Sequence, residues 1–313
     1  MKRTTVTLAV SSIALAGMAF TASASADCSR ETLQKVADAY IVAQKAGDPR
    51  KLPLTAHASY AENDKVMDIA KGVVAGALQV DFTRSFYDTR QCIAFTELVA
   101  ATDPNPHVIL TRMEADRKGK VSKMESVVTH PGDWMFGATQ YLGFTRSENW
   151  DEIPKDKRDT REVIQAAADA YLDNWGNPDI QVPHGTPCAR LEGRIYTGTR
   201  NPAGNNCNMG KFPQKIDANH RRYVIDENYG AVVIFHNFPW LDAGLGPDSP
   251  GTPSGQMFRV EGGKNRYIHE LTTCSTPNCG RGRPPGPGGP AAPGGPGAPG
   301  ASAPGAQGAP GTK

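Results

Sequence analysis

Leu33, Val36, Ala37, Tyr40 and Ile41 recur at i, i+3, i+4 spacing and predict an amphipathic helix at the start of the first half of the chain. Asp48-Pro49 ends it, and the pattern then changes to period two. Strand-like runs follow at Ala58–Glu62, Cys92–Ala100, Val108–Glu114 and Met124–Thr129, with Lys118-Gly119 as a turn. The same order returns in the second half. A helix over 161–175, with Thr160 as its N-cap, leads through a Pro/Gly loop to a strand near Arg190–Tyr196. A Gly/Asn-rich loop runs to Cys207, and Arg222–Asp226 and Ala231–Asn237 then flank Glu227-Asn228-Tyr229-Gly230, a hairpin signal. A Gly/Pro-rich loop (242–255) precedes the last strands, Gln256–Val260 and Arg266–Thr273.

The correspondence extends to individual residues. Glu31–Tyr40 returns as Glu162–Tyr171, Leu52-Pro53-Leu54 as Val182-Pro183-His184, and Ala61-Glu62-Asn63 as Leu191-Glu192-Gly193, all offset by about 130 residues. Met113 to Lys120 is echoed by Met257 to Lys264 at a slightly larger offset. A solenoid unit is roughly 20–50 residues long, so this repeat predicts two copies of one domain. The expected division is a first domain over 27–130, an aromatic connector over 131–159 packed between the lobes, and a second domain over 160–279. The connector carries Trp134, Phe136, Tyr141, Leu142, Phe144 and Trp150, too many aromatics for a free linker.

The two ends read differently from this body. Lys2-Arg3, the apolar run Val6–Phe20 and Ala24-Ser25-Ala26 form a secretory signal over residues 1–26. The apolar run is shorter than the ~20 residues of a spanning helix, so the expectation is a periplasmic or secreted chain with no membrane span. Six cysteines remain, an even number that favours disulfides in an exported protein. Their distribution suggests Cys28 with Cys92, Cys188 with Cys207, and Cys274 with Cys279, among the roughly 15 connectivities that six cysteines allow. Cys274 and Cys279 also resemble half a zinc site, but the second close pair is missing, so no metal is expected. Without Lys2 and Arg3 the chain has 32 basic and 32 acidic residues and no basic stripe, which argues against a nucleic-acid partner. Residues 280–313 are almost only Gly, Pro and Ala, a composition expected to stay disordered as a spacer, with contact to the cell envelope as one role for it.

One helix followed by strands, given twice, is an α+β pattern. Gly47-Asp48-Pro49, Leu52-Pro53-Leu54 and Tyr60-Ala61-Glu62-Asn63 resemble the nuclear-transport-factor-2-like (SnoaL-like) superfamily. The second half, with Val182-Pro183, Gly185, Pro187-Cys188-Ala189-Arg190-Leu191-Glu192-Gly193 and Arg221-Arg222-Tyr223-Val224-Ile225-Asp226-Glu227, is similar to secreted fungal domains of unknown function. The resemblance covers most of residues 28–274. It implies two tandem cone-shaped domains, each a helix over a curved antiparallel sheet with an apolar pocket. Enzymes of this superfamily are mostly cofactor-free acid/base catalysts acting on hydrophobic substrates, while other members bind without catalysis.

The candidate chemistry sits on the repeat. Tyr40 and Tyr171 close the helical motif and suit either a core position or an oxyanion donor. Tyr60 and Glu62, and likewise Arg190 and Glu192, share one face of a strand; Arg190 with Glu192 reads as an ion pair or as an oriented base in a dry pocket. His236 and His269 fall in predicted strands, with Tyr267 on the His269 face and Glu125 at the equivalent place in the first copy. The catalytic expectation is therefore His269, Glu192, Arg190 and Tyr171, with Tyr40, Tyr60, Glu62, His236 and Tyr267 lining pockets. No G-x-S-x-G, P-loop or G-x-G-x-x-G motif is present, so serine hydrolysis, phosphoryl transfer and nucleotide cofactors are not expected. The expected function is a cofactor-free lyase or isomerase/dehydratase acting on a small hydrophobic oxygenated molecule. A non-catalytic binding module of the envelope is the alternative.

Overall fold

The computed structural model describes residues 28–210, 217–238, 251–276 and 279. The expected signal segment and the Gly/Pro/Ala-rich tail lie outside them. Helix α1 (Arg30–Ala46) starts where the Ser29 side chain accepts the Thr32 N–H and stops at Gly47, in left-handed conformation at φ 61°. A Cβ on Gly47 would come within 2.5 Å of the Ala77 nitrogen, so the close approach also requires glycine there. The strands β1 (Leu54–Glu62), β2 (Lys65–Val66), β3 (Phe82–Asp88), β4 (Ile93–Ala100), β5 (His107–Ala115) and β6 (Val121–Thr129) form one sheet in the order β2-β1-β6-β5-β4-β3. After α2 (Ala138–Ser147) and α3 (Arg161–Gly176), capped by Thr160, the pattern repeats. The second sheet contains β7 (His184–Glu192), β8 (Ile195–Tyr196), β9 (Asn219–Asp226), β10 (Ala231–Phe238), β11 (Thr252–Glu261) and β12 (Lys264–Thr272), in the order β8-β7-β12-β11-β10-β9. The protein is thus a mixed α+β chain with two six-stranded sheets of the same topology.

Three features depart from the sequence reading. Neither sheet is wholly antiparallel, because β1 runs parallel to β6 and β7 to β12. The long return from the first strand to the last permits that pairing. β3 was not expected, and the aromatic connector contains α2.

Alternation along the strands distributes three cores. Ala94, Leu98, Ile109, Met113, Met124 and Val128 pack beneath α1. Ile225, Val232, Ile234, Phe258 and Ile268 pack beneath α3. The opposite faces meet each other: Phe86, Phe95, Val99, Leu110 and Val127 join Leu191, Val224, Val233, Phe235, Met257 and Leu271, with Tyr141 and Trp150 from the connector. Both faces of the central strands are therefore buried.

Reciprocal ion pairs tie the halves together. Arg30, at the start of α1, donates to both oxygens of Asp226 at the end of β9, at 2.9 and 2.8 Å. Arg161, at the start of α3, does the same to Asp88 at the end of β3, at 2.8 and 2.6 Å. Asp226 also accepts the Tyr87 N–H, and Asp88 the Ile225 N–H. Contacts that repeat with the partners exchanged describe an isologous interface within one chain. The Asp88 side chain is fully buried and its Arg161 partner nearly so, so Asp88→Ala is expected to cost about 3–5 kcal/mol by stranding the guanidinium. Asp226→Ala should cost less, because Arg30 can turn to water. Urea denaturation of the two variants checks the ranking.

Disulfides join Cys28 to Cys92, Cys188 to Cys207 and Cys274 to Cys279. Among the described residues, no helix is long and apolar enough to cross a membrane.

Candidate acid/base site in the second lobe

Strand registry brings the candidate groups together. Glu192 on β7 and Glu270 on β12 are direct partners across a parallel pair, and Gln256 on β11 is the partner of Glu270. Arg190, two residues before Glu192, lies on the same face. Tyr171 descends from α3, whose buried side it shares with Ile164, Ala168, Leu172 and Trp175. One patch, buried except at the partly exposed Glu192, thus holds two carboxyls, a guanidinium, a phenol and a carboxamide.

These groups are unevenly satisfied. Arg190 Nη1 lies 3.4 Å from the Tyr171 hydroxyl and 3.7 Å from Glu192 Oε2. Its buried Nε has no partner among the described residues. Glu192 Oε1 accepts the indole N–H of Trp134 at 2.6 Å, so the connector holds the carboxyl from outside the sheet. Glu270 accepts from Gln256 Nε2 at 3.0 Å and from the Thr272 hydroxyl at 2.9 Å. Burial, reinforced by the charge of Glu192, pushes Glu270 up to about 8 against the pull of Thr272, Arg190 and Gln256. The Tyr171 hydroxyl donates a hydrogen bond to the thioether of Met209 at 2.8 Å, a weak acceptor. Burial raises this phenol.

An acid whose folded pKa is raised holds its proton more tightly folded than unfolded. Glu270 therefore contributes stability below its ordinary 4.5, and that contribution is lost as pH rises through about 8. Glu270→Gln removes the dependence. Its stability relative to the parent should improve between pH 5 and pH 8 by up to about 1.4 kcal/mol per pH unit, as read by urea denaturation.

The first lobe shows the same positions without the same chemistry. Tyr40, Tyr60, Glu62, Ser126 and Thr111 stand where the second lobe has Tyr171, Arg190, Glu192, Glu270 and Gln256. They are neutral hydroxyls apart from Glu62, and they satisfy one another. Thr111 Oγ1 donates to the Tyr40 hydroxyl at 2.9 Å and lies 2.9 Å from Ser126 Oγ; Tyr60 donates to Glu62 at 2.8 Å. In the second lobe Gln256 Oε1, His236 Nε2, His184 Nδ1 and Arg190 Nε are buried with no partner among the described residues. Each such atom costs about 1–3 kcal/mol unless something else binds it. In the first lobe Gln44 Oε1 is also without a partner, but it lies at the C-terminal end of α1, away from these five positions, whose own groups are satisfied.

Two expected site residues point elsewhere. His269 and Tyr267 lie on the opposite face of β12 from Glu270, because adjacent strand residues alternate. His269 Nε2 lies 2.5 Å from Glu148 Oε2, and its Nδ1 lies 3.2 Å from the Tyr141 hydroxyl, which donates to Glu97 at 2.6 Å. Glu97 also pairs with Arg84 at 3.0 Å. Burial alone would lower His269, but Glu148 and Glu97 outweigh it and raise it. Tyr267 stacks on Trp150 in the same inter-sheet layer. Neither residue meets Glu192, Arg190 or Tyr171. His236 does face the second-lobe interior, where burial lowers it to about 4. Glu270 joins the site although the sequence pattern did not single it out: the alternation that puts Arg190 and Glu192 together also puts Ile268 and Glu270 on one face.

His184 and the sulfurs of Cys188 and Cys207 also lie within 4.8 Å of one another, but the disulfide consumes both thiols. A separate cleft of about 660 Å³ opens on the first lobe beside Gly47, Asp48, Arg50, Leu54, Ile69 and Ala75. Its charged groups, Asp48 and Arg50, pair with each other at 2.8 Å.

Residues 157–272 match a family model described as a domain of unknown function (DUF8021), a span that takes in α3 and β7–β12. No curated protein matches the chain.

Proposed function

We propose that the second lobe is a cofactor-independent acid/base site, acting as a lyase or isomerase/dehydratase on a small, largely hydrophobic oxygenated compound of aromatic, terpenoid or polyketide type. The observation that carries this reading is the pairing of Glu192 with Glu270 beside buried Arg190 and Tyr171, at positions where the first lobe keeps a single carboxyl, Glu62, among satisfied hydroxyls. A nuclear-transport-factor-2-like cone is the fold this reading uses. The helix laid on a sheet of order β2-β1-β6-β5-β4-β3, with its parallel β1/β6 pair, supports it. The three disulfides support an exported, oxidising location.

In this scheme the Glu192 carboxylate removes a proton from carbon next to a carbonyl, or from a hydroxyl. Arg190 fixes its orientation. Glu270, protonated at neutral pH, donates to the developing oxyanion or delivers its proton to a departing hydroxyl, and Tyr171 exchanges the Met209 sulfur for the same oxygen. A carboxyl held protonated by burial, set beside a second carboxyl, divides the roles of acid and base, as in ketosteroid isomerase, one of the established examples of that principle. The apolar side chains Leu172, Trp175 and Phe258 hold the hydrocarbon frame. Turnover is expected to fall as pH rises through about 8, where Glu270 loses its proton.

A non-catalytic envelope module that holds a hydrophobic ligand is the second reading, favoured by the open cleft on the first lobe. Mass spectrometry of small molecules retained by protein purified from its native host tests both. A retained compound that is chemically changed on incubation, and left unchanged by Glu192→Gln, supports catalysis. A compound held without change by both supports binding.

A further inference from the structure

One rung along the sheet from Glu270 and Gln256, the second-lobe interior carries Thr272, Ser254 and His236, register partners on β12, β11 and β10. The corresponding rung of the first lobe is Val128, Ile109 and Leu98, wholly apolar. Both rungs are buried. The two hydroxyls satisfy each other, Ser254 Oγ lying 2.8 Å from Thr272 Oγ1. His236 is different. Its Nδ1 lies 3.2 Å from the Asn237 carbonyl oxygen, which can only accept, so the proton sits on Nδ1 and Nε2 is a bare acceptor. Gln256 spends its amide N–H on Glu270 and leaves Oε1, a second bare acceptor, on the neighbouring strand. Neither atom has a hydrogen-bond partner among the described residues.

We infer that the substrate carries at least two hydroxyl groups at one end of its apolar frame, and that these donate to Gln256 Oε1 and His236 Nε2. This inference rests on the second-lobe interior being the site. Two bare acceptors call for two donors. An ammonium group is disfavoured by the nearby Arg190 guanidinium, whereas a hydroxyl can donate to these atoms and also accept from Arg190 or Tyr171. The first lobe, with Thr111 and Leu98 at these places, has no such requirement. The substrate class is thereby narrowed from any oxygenated hydrophobe to a polyhydroxylated one.

The test is calorimetric titration of the full chain with benzene, phenol and resorcinol, three probes of one ring with zero, one and two hydroxyls. Affinity is expected to rise along the series, with resorcinol at least tenfold tighter than benzene. Gln256→Thr and His236→Leu, the first lobe's own residues, should each weaken resorcinol about tenfold and leave benzene unchanged. If one variant fails to fold, the other and the parent series still give the result. Equal affinities for all three probes would overturn the inference while leaving an accessible interior. Failure of every probe to bind would remove the site itself, and the acid/base reading with it.

Discussion

Glu192→Gln is expected to slow turnover of the retained compound by a factor of about 10²–10⁴, the range for loss of a positioned general base. The fold should be untouched. Glu192 is only partly buried, its Trp134 bond can be kept by the amide oxygen, and its 3.7 Å pairing with Arg190 is long. The control is Glu62→Gln, the equivalent position in the first lobe, where the carboxyl accepts from Tyr60 and the Val73 N–H and has no acidic neighbour across the strand pair. Turnover should be unchanged there. Equal losses in the two variants, or none in either, would remove the second lobe from consideration as the reacting centre.

His269→Ala should instead act on stability, with an expected loss of about 3–5 kcal/mol in urea denaturation. The imidazole is 1% exposed and lies between Glu97 and Glu148, whose side chains are 0% and 1% exposed. Removing it leaves Glu97 with Arg84, but leaves Glu148 with no cationic partner, only the neutral donors Trp150 and Tyr196. The pH dependence carries a further signature. A histidine whose folded pKa is raised stabilises fully below its ordinary 6.5, and that contribution fades as pH rises through the higher folded value. The parent should therefore weaken on the alkaline side in a way the alanine variant does not, and turnover per folded molecule should be the same in both. A variant as stable as the parent would show that this cluster does not hold the lobes.

The repeat could be read because each copy carries its own helix period and caps. Glu31–Tyr40 and Glu162–Tyr171 both became helices with a buried tyrosine, capped by Ser29 and Thr160. The echo of Met113 in Met257 is one residue out of register with the folded repeat. Met113 pairs with Met124 beneath α1, while Ile268, at the position of Met124, pairs with Phe258. Met257 consequently faces the other sheet. A slip of one residue reverses every side chain in a strand, and sequence identity between two methionines does not reveal it.

The same cause explains the misplaced histidine. His269 and Glu270 are neighbours with similar chemistry, and both are buried. In a sheet with one wet face, the polar residue would mark the outside. β4, β10 and most of β11 are buried along both faces, so polarity no longer distinguishes pocket from interface. Period and punctuation in the chain alone determined the two helices that open the copies, most of the strands, the duplication and the segregation of cysteines, because each depends on residues near one another in sequence. Only the folded chain decided that the sheets meet back to back, sending His269 toward Glu97 and Glu148 and Glu270 toward Glu192. Which side of a strand faces its helix is set by partners far away in the chain, not by its sequence neighbours.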